Sequence, residues 1–125
     1  MEKEYGVLLT TDNKVSIIVL DPVYETLKSS VGGYIEHTNP FMLREPNCMI
    51  VDEEGLLKEK PLNFLATWFY NGKTTTPIDF SPIAGDVVFC KDGYRDEEPD
   101  ILGYTEEEAN AVYGVMKEML DVAGL

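Results

Sequence analysis

One histidine, one tryptophan and two cysteines are all that 125 residues hold of these types, and each scarcity excludes something. Two cysteines, Cys48 and Cys90, are too few for the disulfide framework of small secreted domains. They are expected as reduced, half-buried thiols. Structural zinc draws four Cys or His ligands, usually in close pairs. His37, Cys48 and Cys90 are spread along the chain, so no metal site is expected. A lone histidine also leaves a Cys–His nucleophile pair without local support. No segment matches a phosphate loop, a dinucleotide fingerprint, a nucleophile elbow or a zinc-protease helix. The expectation is a protein with no catalytic residues and no cofactor.

Long apolar runs are missing too. Stretches such as Ile17 to Leu20 fall far short of the roughly 20 residues that span a bilayer. Met1-Glu2-Lys3-Glu4-Tyr5 lacks the basic and then apolar pattern of a secretory signal. A cytoplasmic protein that does not engage a membrane is expected.

Basic residues are scarce: 10 Lys and Arg stand against 23 Asp and Glu, a formal net charge of -13. Such a field repels phosphate backbones and attracts basic protein surfaces. The cations are scattered, with no basic face for DNA or RNA. Direct nucleic-acid binding is not expected. The acidic loops at Asp52 to Gly55 and Asp92 to Asp100 lack the alternating ligand pattern of an EF-hand.

What is present suits a globular fold. The chain is 44% hydrophobic and 26% charged, and its length fits a single domain over residues 1–125. Glu4 to Thr10 and Val15 to Leu20, joined by Thr11-Asp12-Asn13-Lys14, read as an antiparallel hairpin. The second run lacks clean polar alternation, which suits a strand interior to a sheet. Asp21-Pro22 starts a helix, with Asp as N-cap, and Gly32-Gly33 ends it. Val23, Leu27 and Val31 would face inward.

Tyr34 to Thr38 and Cys48 to Val51 read as strands, and Pro61 to Asn71 as a second helix. On that helix Leu62, Leu65, Ala66 and Phe69 would share one side, and Phe64 and Trp68 another. Gly72 to Gly85 reads as loop, Asp86 to Cys90 as a last strand, and Lys91 to Gly103 as a polar, mobile segment. A Thr105-x-x-Glu108 capping box opens the final helix, with Ala109, Val112, Met116, Leu120 and Ala123 inward. The order predicts an α+β fold: a mixed, mainly antiparallel sheet of about five strands, with about three helices on one face.

Three segments carry a family resemblance: Val31-Gly32-Gly33-Tyr34-Ile35-Glu36; Asp52-Glu53-Glu54-Gly55-Leu56 followed by Pro61-Leu62-Asn63; and Ile83-Ala84-Gly85-Asp86-Val87-Val88-Phe89. In order and spacing the chain resembles the bacterial and phage family called domain of unknown function 3846, which usually has Asn at the position of Asp52. The resemblance implies no activity. It implies a setting, in phages and integrative elements, where small accessory proteins often act on the host and its defence systems.

The expected function is a non-enzymatic binding protein of phage or mobile-element type. It would antagonise a host defence component by docking an acidic face on a basic protein surface. Two alternatives stay open: a protein that sequesters a small nucleotide signal, and an accessory domain of another role. For the nucleotide, Tyr34, Trp68, Tyr70 and Asn63 would line a base-stacking pocket, with Lys58, Lys60, Lys73 or Arg44 supplying positive charge. Candidate ligand- or partner-binding residues are Gly33, Tyr34, Glu36, Asn63 and Trp68. Phe64 and Trp68 exceed what one sheet face covers, so a homodimer with Trp68 near its interface is expected.

Overall fold

A computed structural model describes residues 3–72 and 81–125. Its elements are β1 (Tyr5–Leu9), β2 (Val15–Val19), α1 (Val23–Val31), β3 (Ile35–Thr38), β4 (Asn47–Asp52), α2 (Phe64–Asn71), β5 (Val87–Arg95), β6 (Glu98–Leu102) and α3 (Glu106–Ala123). This is the expected α+β class.

The sheet order is β2-β1-β5-β4-β3, with β6 also paired to β5. All these pairings are antiparallel, which corrects the expectation of a mixed sheet. Lys91 of β5 faces Asn47 of β4 and Leu102 of β6. β6 therefore runs along the edge of β5 opposite β4, the edge that β1 uses further along. Tyr5 and Tyr104 join the two neighbours through backbone bonds of 2.9 and 2.7 Å.

Strand alternation sends side chains to two faces, and both are covered. Val7, Leu9, Met49, Val51, Val87 and Phe89 pack with Leu65, Ala66 and Phe69 of α2 and Ala109, Met116 and Leu120 of α3. Cys48, Ile50, Val88 and Cys90 pack with Leu27 and Val31 of α1. The expectation of helices on one face is thus corrected: α1 lies on the face opposite α2 and α3. β2 is likewise an edge strand, not an interior one. Its apolar run serves both layers, because Val15 and Ile17 join the first core while Ile18 joins the second.

The helix termini follow their sequence signals with some shifts. Pro22, not Asp21, occupies the N-cap position of α1, without a side-chain cap. Gly32 ends that helix at φ 79°, where a residue without Cβ carries no steric penalty. The capping box of α3 is complete, with Thr105 and Glu108 each bonded to the other's backbone. Ala123, expected inward, is exposed.

The largest miss is Lys91 to Gly103. The second half of β5 and all of β6 form a hairpin here. Asp96 and Glu97 take positive φ values of 52° and 67° between paired Arg95 and Glu98, the geometry of a two-residue hairpin turn. Arg95 ties the hairpin down through Glu4 at 3.0 Å and Asp100 at 3.1 Å. Of the expected loop from Gly72 to Gly85, residues 73–80 lie outside the described residues.

Candidate functional site

The three segments that carry the family resemblance meet around Asp52. This residue ends β4, pairs across the strands with Ile35, and buries its side chain completely. Its carboxylate accepts from Lys60 Nζ at 2.5 Å, Lys58 Nζ at 2.9 Å and the Glu54 amide at 2.9 Å. The same two lysines reach the open end of α1. Lys60 donates to the Val31 carbonyl at 2.8 Å, and Lys58 to that of Gly32 at 3.3 Å. Burial alone would push the Asp52 pKa up; the bonds from Lys60, Lys58 and the Glu54 amide outweigh it and hold the group at about 2.

The glycines allow this close approach. A Cβ on Gly33 would stand 2.5 Å from Lys58 Nζ and 2.6 Å from Asp52 Oδ1, and one on Gly55 would stand 2.6 Å from the Ala84 carbonyl oxygen. Gly33 thus lets the first segment close on the second, where a side chain would displace Lys58 and Asp52, and Gly55 lets the second close on the third, where a side chain would meet backbone.

Asn63 closes the junction from the α2 side. Its side-chain oxygen caps the helix by accepting from the Ala66 amide at 3.2 Å. Its side-chain nitrogen donates to Leu9 at 3.0 Å and Gly85 at 3.1 Å. Asn63 is completely buried, so its polar atoms are spent inside the fold. α2 accordingly begins at Phe64, later than Pro61, and Leu62 is exposed instead of sharing the buried side.

The five sequence candidates do not gather in one place. Gly33 belongs to the Asp52 junction and Asn63 to the interior. Tyr34 is 65% exposed, with Lys28 Nζ 4.8 Å above its ring. Trp68 is 39% exposed on α2, edge-on to Phe69 at 5.5 Å. Only Glu36 of the five lines a groove of about 300 Å³ beside β3, formed with Val51, Glu53, Leu56, Leu57 and Ile83 among others. Leu57 lies 83% exposed at its mouth.

A second constellation was hidden by sequence spacing. His37 faces Ile50 across β3 and β4, and Cys48 faces Cys90 across β4 and β5. Asp92 lies two residues past Cys90, on the same side of β5. All four side chains therefore share the α1 face of the sheet. The donor atoms of His37, Cys48 and Asp92 lie within 4.8 Å of one another. Strand register thus brings together donors that lie far apart along the chain. His37 Nε2 is 2.5 Å from Asp92 Oδ1, and Asn39 donates to Oδ2 at 3.1 Å. The two cysteine sulfurs are 3.6 Å apart and both residues are buried. The hydrogen bond to Cys48, with burial, pushes the Cys90 thiol well above its usual range. Asp92 and Asn39 were not among the sequence candidates; residue parity combined with strand register would have found Asp92.

The family model described as Domain of unknown function (DUF3846) matches residues 3–117. The chain belongs to this family. No curated protein and no solved structure matches it. The match takes in all three segments of the Asp52 junction and both cysteines of the sheet. None of the described helices is long and apolar enough to cross a membrane.

Proposed function

We propose that this DUF3846 chain is a non-enzymatic binding protein that seats a basic, partly apolar segment of another protein in the groove beside β3. The carrying observation is the make-up of that groove. Val51, Leu56, Leu57, Pro82, Ile83 and Ala84 give it apolar walls, while Glu36 and Glu53 set carboxylates on it. Apolar walls supply area to desolvate, and the acidic residues select a cationic partner and speed its encounter. The net charge of -13 extends that selection over the whole molecule. In a phage or mobile-element setting, a fitting target is a nucleic-acid-binding component of host defence, whose basic surface this chain would occupy.

The nucleotide reading has less support. Lys58 and Lys60 do converge, but on the Asp52 carboxylate and the carbonyls that end α1. Asn63 has no free polar atom to offer a base.

The test begins with capture of partners from a bacterial lysate on immobilised chain, followed by titration of each purified partner over a salt series. Affinity should fall steeply with salt, drop at least tenfold in Glu36→Lys and in Leu57→Glu, and be unchanged in Trp68→Glu. Salt-independent binding, or binding indifferent to both groove variants, would sink the reading.

A further inference from the structure

The donors on the α1 face of the sheet have a chemistry that the groove does not use. We propose that His37, Cys48 and Asp92 form a binding site for a zinc-class divalent metal ion, with Cys90 as the hydrogen-bonding neighbour of the Cys48 sulfur. Imidazole, thiolate and carboxylate are the three side-chain donors that zinc accepts, and three protein ligands leave a fourth position open. The sulfur discriminates against magnesium and calcium, which take oxygen ligands.

The geometry is close to what the ion needs. With metal–ligand bonds of about 2.0–2.3 Å, donors around a tetrahedral zinc stand roughly 3.3–3.8 Å apart. The three donors here lie within 4.8 Å of one another. His37 and Asp92, now 2.5 Å apart, would separate by about 1 Å to admit the ion between them. Cys48 would give up its thiol proton to solvent, and His37 would bind as neutral imidazole.

Position and support also fit. His37 and Asp92 side chains are 37% and 40% exposed, while Cys48, its sulfur within 4.8 Å of their donor atoms, is fully buried. The imidazole and carboxylate therefore face solvent, and the sulfur would complete the set from the buried side. Each donor sits on a paired strand of the sheet, so the backbone holds the set without an ion. Asn39 bonds the second oxygen of Asp92 at 3.1 Å, the kind of outer support that orients a metal-binding carboxylate. The net charge of -13 raises the local concentration of cations.

The experiment uses the whole chain, reduced and stripped of metal with a chelator, titrated with Co²⁺ as a spectroscopic probe. One equivalent should bind, with a thiolate-to-cobalt charge-transfer band that Zn²⁺ abolishes and excess Mg²⁺ does not. Cys48→Ser should remove the band, whereas Cys90→Ser should keep it. Cys48 is a core position, so His37→Asn and Asp92→Asn give a second arm at exposed positions. Each should weaken Co²⁺ binding about tenfold or more with an unchanged circular dichroism spectrum. The proposal is overturned by a wild type without the band, by a band that survives Cys48→Ser, or by surface variants that bind as tightly as the parent.

Discussion

Lys60 touches Asp52 and the end of α1 at once: its Nζ lies 2.5 Å from the Asp52 carboxylate and 2.8 Å from the Val31 carbonyl. One cation thus satisfies a buried anion and an orphan helix carbonyl, two groups that are each costly to leave unpaired.

Replacing Asp52 by Asn should remove stability that depends on pH. The carboxylate falls from an ordinary 3.8 to about 2 in the folded chain. A depressed acid stabilises the fold fully above its unfolded pKa, and that contribution is lost as pH drops through about 4 towards about 2. Asp52→Asn should cost about 2 kcal/mol at neutral pH and flatten the loss of stability over that acidic window. Urea unfolding of both proteins at pH 7 and pH 3 checks it. A parent whose stability holds steady through the window would contradict the ion-pair account.

Asn63→Ala should destabilise the chain by about 2–3 kcal/mol. The change removes an N-cap and leaves the Leu9 and Gly85 carbonyls short of a donor in the interior. Thermal unfolding followed by circular dichroism gives the number, and a cost below about 0.5 kcal/mol would show that water or a neighbour replaces the amide.

The Asp96-Glu97 turn holds two non-glycine residues at positive φ. Exchanging them for Asn and Gly, the residues this turn type favours, should stabilise the hairpin by about 0.5–1 kcal/mol. Denaturant midpoints decide the sign. Destabilisation would mean that the acidic pair makes contacts worth more than the relieved strain.

Phe64 is 65% exposed, and Trp68 stands one turn further along the same helix. We expect this pair to drive weak self-association. Light scattering over a concentration series should approach twice the 14.1 kDa chain mass, and Trp68→Glu should hold the chain at the monomer mass. A parent that stays monomeric at millimolar concentration removes the case for a dimer.

Local chemistry made much of the fold legible: the Gly32 stop, the Thr105 capping box and the first hairpin all act over a few residues. Two-sided burial was harder. β4 reads as a continuous apolar run because Met49 and Val51 face one core while Cys48 and Ile50 face the other. Periodicity says that both faces are covered, not by which helix. The β5–β6 hairpin was concealed by acidic side chains and by Pro99, tolerated on a strand only at an edge. The candidate sites differ in the same way. Gly33 and Asp52 stood out as motif residues, but their meeting depends on lysines whose sequence context is ordinary. His37, Cys48 and Asp92 are brought together only by register between three strands, which local sequence does not encode.

The place of β5 in the sheet orders the assembly of the molecule in time. β1–β2 and β3–β4 are each hairpins of neighbouring segments, complete well before the ribosome reaches Val87. Neither pairs with the other. β5 is the wedge between them, bonding β1 through Val87–Phe89 and β4 through Val88–Lys91. Until it arrives, neither helical layer has a continuous floor, so the nascent chain must carry two half-sheets with apolar flanks. Closing such distant pairings is slow compared with hairpin formation. The step that joins the halves is also the one that sets Cys90 beside Cys48 and Asp92 beside His37, so neither contact can exist in a chain that has not finished its sheet.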